Sequence, residues 1–260
     1  MKLYKSLEYK VEDRVGTITL NRPKEQNSIT DVLLIELRDA LMASEQDPNV
    51  KLLILKANGK VFSSGLDSEY LQRIQNYSLE QQAADSNSMM QVLMSIYRST
   101  KLIIAQVEGD AAGGGCSLLL AADFVFATPE ARFGLPEVRI GMVPALAMMF
   151  LLRKVGETRS KELMLSGDMI DARKAWDYQL ITRIIPQAEI QGYVMQFANR
   201  LCTQNSAGSM QLTKKMIADI QDFPMENAMK FAAKMNAYAR ATPDCKRGIQ
   251  AILDKEELSW

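Results

Sequence analysis

The chain of 260 residues carries 31 basic and 31 acidic side chains and no histidine. Its length and its 47% apolar content suffice for the core of one large domain, and a net charge of zero supplies no long-range field to gather nucleic acid or an anionic membrane. Without histidine there is no Ser-His-Asp or Cys-His nucleophile pair and no histidine-based metal site.

From the N-terminus, Leu7 to Val11 and Val15 to Leu20 alternate around Glu12-Asp13-Arg14, which predicts a hairpin closed by Asn21-Arg22-Pro23. Thr30 or Asp31 caps a helix whose Leu33, Leu34, Leu37 and Leu41 share one face, and Asp47-Pro48-Asn49 stops it. Leu52 to Lys56 reads as a strand ending at Asn58-Gly59. A polar helix bearing Leu79, Met90, Leu93 and Tyr97 then leads to a strand over Leu102 to Val107. Ser117 to Ala122 reads as a short buried helix and Phe124 to Ala127 as a strand, with a turn at Thr128-Pro129-Glu130. From Ala145 onward the pattern is mostly helical, over 145–152, 158–165, 172–178, 189–202, 211–222, 225–241 and 245–255, with one strand at Ile181 to Ile185. Helices that follow a β-rich core cover an exposed face or meet another subunit.

Cys116, Cys202 and Cys245 have no CxxC spacing and an odd total, so neither a disulfide framework nor a structural zinc site is expected. The N-terminal run Met1-Lys2-Leu3-Tyr4-Lys5 has no signal core, and no apolar stretch approaches the roughly 18 residues that span a bilayer. These features lead to an expectation of a cytoplasmic protein with no membrane and no nucleic-acid partner.

Two glycine-centred breaks carry the chemistry. Phe62-Ser63-Ser64-Gly65-Leu66-Asp67 and Ala112-Gly113-Gly114-Gly115-Cys116-Ser117 each follow a strand-like run and lead into a helix-like one. Such a junction leaves the first backbone N–H groups without intrahelical partners, at the positive end of the helix dipole. Two of these donors converging on one oxygen stabilise an enolate or a tetrahedral oxyanion. The glycine triplet does not extend to GxxxxGK[ST] or GxGxxG, which argues against nucleotide phosphate binding.

Asn21-Arg22-Pro23, FSSGLD at 62–67, GGGC at 113–116, FGLPE at 133–137 and LSGDMIDARKA at 165–175 resemble, in order and spacing, the enoyl-CoA hydratase/isomerase family, or crotonase superfamily. The resemblance implies an α/β fold, a crotonase-like spiral of ββα turns over residues 1–195, with a helical trimerisation region over 196–260 that forms a homotrimer or hexamer. It implies an acyl-CoA thioester as substrate, with no cofactor and no metal. The N–H groups of Leu66 and Gly114 match those that hold the thioester carbonyl. Leu66, Asp67, Ser68 and Glu69 match the stretch that lines pantetheine and adenosine, and Lys255 matches a lysine that reaches CoA phosphates.

Family hydratases use two glutamates. Here Glu137 occupies the second position and Ser117 the first, so water has no carboxylate pair to hold it. A single carboxylate suits 1,3-proton transfer from C2 to C4, the chemistry of a Δ3,Δ2-isomerase. Hydration of a branched methylglutaconyl-type enoyl-CoA, decarboxylation of an acyl thioester and a silent acyl-CoA-binding role are the alternatives, and CoA and acyl-carrier protein are equally admissible carriers. Read without the resemblance, Glu137 is a surface-loop carboxylate, Ser117 caps a helix or positions water, and Asp110 is a turn aspartate or a replacement for the lost carboxylate. Cys116 is a small packing residue rather than a nucleophile.

Overall fold

The computed structural model describes residues 3–260; Met1 and Lys2, which begin the N-terminal run considered above, lie outside them. β1 (Leu7–Glu12) and β2 (Val15–Leu20) form the hairpin, with Asp13 and Arg14 both at positive φ in its two-residue turn. α1 (Asp31–Gln46) starts where the Thr30 hydroxyl oxygen accepts from the Leu33 N–H at 3.1 Å. A repeated unit of long strand, short strand and helical segment follows. Its first turn is β3 (Leu52–Ala57), β4 (Val61–Ser63), α2 (Ser68–Ile74) and α3 (Leu79–Tyr97). The second is β5 (Leu102–Val107), β6 (Asp110–Ala112) and α4 (Gly114–Ala121), and the third is β7 (Phe124–Ala127), β8 (Arg132–Gly134), a 3-10 turn (Pro136–Ile140) and α5 (Ala145–Ser166). β9 (Ile170–Asp171), α6 (Ala172–Asp177) and β10 (Arg183–Ile184) close the spiral, and α7 (Ile190–Gln204), α8 (Ala207–Asp219), α9 (Met225–Ala241) and α10 (Pro243–Asp254) complete the chain.

Each turn of the spiral feeds two sheets. The long strands make a six-stranded sheet in the order β1-β2-β3-β5-β7-β10, parallel except for the β1–β2 hairpin, and the short strands make a second sheet, β4-β6-β8-β9. The second sheet was invisible to periodicity, because two or three residues cannot display alternation. One core fills the space between the sheets and α1, α3, α4 and α5, and includes Leu33, Leu37, Ile103, Leu119 and Phe133. On the other face of the large sheet, Ile190, Val194, Ala198 and Cys202 of α7 pack against Val15, Leu52, Ile54 and Phe126. The 195/196 division therefore falls inside a helix whose buried face belongs to the spiral.

Two boundaries differ from the sequence reading, the start of α4 and the extent of the strand at 181–185. α4 begins at Gly114, three residues before Ser117, and Gly115 in its first turn lies so close to β4 that a Cβ there would overlap Ser63. The two helices expected over 145–152 and 158–165 are present as the two halves of α5, which meet at the non-helical Gly156 with φ 77°. Of Ile181 to Ile185 only Arg183 and Ile184 pair, with Phe126 and Ala127.

Lys214 fastens α8 to the spiral. It is the one buried residue of that helix, and its ammonium donates to the Ile96 carbonyl at 3.1 Å, the Lys101 carbonyl at 3.0 Å and Asp123 Oδ2 at 2.7 Å. Burial pulls its pKa down while Asp123 pulls it up. Lys214→Met would leave Asp123 and two carbonyls without that donor, so a loss of about 3–5 kcal/mol is expected, to be read as a lowered midpoint in urea unfolding.

Candidate active site

The first glycine turn is held by Ile29. The Ile29 N–H donates to the Gly65 carbonyl at 2.7 Å and the Ile29 carbonyl accepts from the Asp67 N–H at 3.0 Å. In a strand-like pairing of this kind the residue between the two bonded ones points its own N–H to the opposite side. Leu66 is that residue. Gly65 has φ +93°, a conformation that favours glycine. Asp67 then caps α2, its Oδ1 accepting from the N–H groups of Glu69 and Tyr70 at 3.0 and 3.3 Å. Its Oδ2 accepts from the Ser28 hydroxyl at 2.7 Å and lies 3.4 Å from the Arg22 guanidinium. Burial alone would raise the Asp67 pKa, but Ser28, the Glu69 N–H and Arg22 hold it below the usual carboxylate range.

The second turn lies against the first. Gly113, at φ +52°, donates its N–H to the Gly134 carbonyl at 2.9 Å and forms the N-terminal boundary of α4. Gly114 is the first residue of that helix, and its N–H has no acceptor within the helix. A Cβ on Gly65 would lie 3.3 Å from the Ala112 carbonyl oxygen and 3.8 Å from Gly113 Cα. The amides of Leu66 and Gly114 thus each follow directly on one of two glycines whose backbones touch. Ile29 Cγ1 and Met89 Cε, 3.2 and 3.6 Å from the position of a Gly114 Cβ, make the apolar wall beside the second amide.

Glu137 completes the cluster. It sits on the 3-10 turn that begins at Pro136 and ends at the left-handed Gly141. A Cβ on Gly113 would lie 3.4 Å from Glu137 Oε1 and 3.7 Å from Gly65 Cα, so the carboxyl and both glycine turns share one small space. Glu137 Oε2 is buried and has no hydrogen-bond partner among the described residues. Burial raises the pKa of the group, opposed only in part by a hydrogen bond to its own backbone. A largely desolvated carboxyl next to two backbone turns favours its neutral form and could exchange a proton with a group bound there.

Comparisons with known proteins give the family and the fold. The family model described as enoyl-CoA hydratase/isomerase matches residues 10–260. The chain belongs to the enoyl-CoA hydratase/isomerase family. It is 32% identical to the mitochondrial enoyl-CoA hydratase of Pongo abelii over 95% of this chain and 83% of the relative. It is 26% identical to the trans-2-decenoyl-[acyl-carrier-protein] isomerase of Streptococcus mutans, over 97% of this chain and 96% of that one. The crystal structure of an enoyl-CoA hydratase from Shewanella pealeana superposes with a TM-score of 0.94 at 26% identity, covering 98% and 96% of the two chains. The crotonase fold of this enzyme is thereby shown together with its family.

Within this crotonase-family enzyme the remaining expected site residues sit as follows. Ser117 lies in the second turn of α4, 4% exposed, and its hydroxyl donates to the Gly113 carbonyl at 3.0 Å. It is not a cap, since the helix begins three residues earlier. Cys116 beside it is buried, and burial first and the Glu137 charge second push its thiol up to about 12. Asp110 is in β6 and paired with Arg132 at 2.6 Å. Ser68 and Glu69 are exposed on the first turn of α2. Lys255 is exposed at the end of α10, in the left-handed conformation that caps it. Among the described residues no helix is long and apolar enough to cross a membrane.

Sequence reasoning missed two supports of the site. Arg22 reaches across to Asp67 and also donates to the Ser28 carbonyl at 3.0 Å, which ties the Asn21-Arg22-Pro23 segment to the first glycine turn. Met89 was overlooked although it lies four residues before Leu93, at helical spacing with a core position.

Proposed function

We propose that this chain is an acyl-CoA enzyme that binds a thioester carbonyl oxygen between the N–H groups of Leu66 and Gly114, with Glu137 as the single proton-transfer group. The observation that carries the reading is the approach of Glu137 Oε1 to Gly113, where a Cβ would lie 3.4 Å from it and 3.7 Å from Gly65 Cα. In a 3-enoyl thioester, Glu137 takes the C2 proton and the freed electron pair delocalises onto the carbonyl oxygen and C4. The two amides stabilise that oxygen more than the neutral carbonyl of the ground state. The carboxyl then returns the proton to C4, giving the conjugated 2-enoyl thioester.

Isomerisation is favoured over hydration by Ser117. Its one proton is already donated to the Gly113 carbonyl, and a hydroxyl without an activating base is a poor substitute for a second carboxylate. The carboxylate of Asp67 is occupied by Ser28, Arg22 and α2, so in this reading it supports the turn, while Leu66, Ser68 and Glu69 line the ligand. Self-association as a trimer or hexamer would cover the exposed Met225, Met229, Tyr238, Ile252 and Leu253 of α9 and α10, and Lys255 would meet CoA phosphates.

A panel of 3-enoyl-, 2-enoyl- and branched enoyl-CoA esters, followed through the absorbance of the conjugated thioester, tests the assignment. Appearance of conjugation from the 3-enoyl ester is the expected result. Loss of conjugation from a 2-enoyl or branched ester would instead establish hydration, and binding without change in every ester would mark a silent binding protein.

A further inference from the structure

Burial lowers the pKa of Lys51, Lys154 and Lys214, yet the three are not equally provided with acceptors. Lys51 donates to the Cys202 carbonyl at 2.6 Å and the Asn205 carbonyl at 2.5 Å. Lys214 has two carbonyls and Asp123 Oδ2. Lys154, on α5, has the Ala122 carbonyl at the end of α4, at 3.1 Å, and among the described residues neither a second acceptor nor an ion pair. An ammonium carries three donors, so two are left over. Burial first, opposed by Asp123, brings the Lys154 pKa down to about 8, which keeps the group a cation at neutral pH. A part-buried charge without a counter-ion is costly to hold.

Lys154 lines two clefts. The larger, of about 840 Å³, is bounded by the end of α4, by α5 and by α8, and Leu120, Phe124, Phe150, Met210, Ile217 and Trp260 give it apolar walls. Its charged residues are Asp123, Arg153, Lys154 and Lys214. Asp123 pairs with Lys214 at 2.7 Å and Arg153 with Asp222 at 3.2 Å, so Lys154 is the charge left over. The smaller cleft, of about 620 Å³, has Trp176 in its wall and sets Asp123 and Asp177 against the same lysine, a balance that disfavours an anion. The larger one suits a ligand with a single negative charge at one end of an apolar body. A carboxylate supplies that charge and accepts both spare N–H groups, whereas a dianionic phosphate would bring a second negative charge toward Asp123.

We propose that the larger cleft binds a carboxylate with an aliphatic chain, its head on Lys154 and its chain along the apolar walls of α5 and α8. None of Leu66, Gly114 and Glu137 lines this cleft, so the site is separate from the one proposed for the thioester and stands or falls independently of it.

The chain's two tryptophans report the two clefts separately, Trp260 the larger and Trp176 the smaller. In the full-length Trp176→Phe variant, decanoate is expected to give a saturable change in Trp260 emission. Decan-1-ol, of the same length, should bind about 10–100-fold more weakly, the effect of losing hydrogen bonds to a charged group. Lys154→Met in that background should bring decanoate down to the affinity of the alcohol, and Lys154→Arg, which keeps the charge, should restore part of the difference. Ile217→Glu, at a position more than half exposed on α8, should weaken decanoate more than the alcohol. No saturable response from Trp260, or equal affinities for acid and alcohol, would overturn the proposal. So would a response seen only from Trp176, in the Trp260→Phe variant. Decanoate binding that Lys154→Met leaves unchanged, with sedimentation showing a smaller assembly, would mark the cleft as a contact between copies of the chain and overturn it too.

Discussion

Glu137→Gln is expected to lower kcat by a factor of about 10²–10⁴ while leaving the Kd of a saturated acyl-CoA nearly unchanged. The amide fills the same space beside Gly113 but cannot take a proton, so only the transfer step is removed. The same substitution should raise the Tm at neutral pH. The folded-state pKa of Glu137 lies above its ordinary value, so the folded protein binds more protons than the unfolded one between the two values, and stability falls as pH rises through that window. Above it the full cost of a buried, unpartnered Oε2 is present, and glutamine removes the charge that creates it. A variant that is more stable and inactive is the signature of a carboxyl retained for chemistry. In the wild type, the acid limb of the kcat/KM profile should fall with an apparent pKa above that of an ordinary carboxylate, because the base must be ionised. A drop in both activity and stability would instead mean that Glu137 holds the loop in place.

Gly114→Pro is expected to reduce kcat/KM by a factor of about 10²–10³, the effect of deleting one oxyanion donor, about 2.7–4 kcal/mol. Proline fits the first position of a helix because the N–H it lacks has no intrahelical acceptor there. α4 should therefore persist, with an intact far-ultraviolet dichroism spectrum as the check. Gly114→Ala is the companion: it retains the N–H, and its Cβ would lie 3.2 Å from Ile29 Cγ1, a contact that a shift of a few tenths of an ångström relieves. Alanine with most of the wild-type activity and proline with almost none would assign the effect to the amide. Equal losses would assign it to crowding against Ile29 and Met89.

Much of this architecture was legible because long elements carry a period. β1, β2, β3, β5 and β7 occupy runs of four to six residues with their apolar positions intact, and α9 spans the same residues that its pattern implied. The short strands β4, β6, β8 and β9 were not legible, since their pairing is set by the neighbours that the spiral brings alongside. The start of α4 was hidden for a different reason. Three successive glycines oppose a helix by propensity, and the reason for a glycine at 115, its close approach to Ser63, joins residues far apart in sequence. At the site, the glycine turns and Glu137 carried motifs of their own, whereas the reach of Arg22 to Asp67 and to the Ser28 carbonyl joins segments whose contact no spacing announces.

The central claim is that the Leu66 and Gly114 amides polarise one acyl oxygen, and the infrared carbonyl stretch of a bound thioester reads that polarisation directly. With a saturated acyl-CoA labelled with ¹³C at the carbonyl, the stretch should move to lower frequency on binding to the wild type and to Glu137→Gln alike, and should move back toward its free value in Gly114→Pro. A bound thioester whose carbonyl stretch matches that in water would contradict the account.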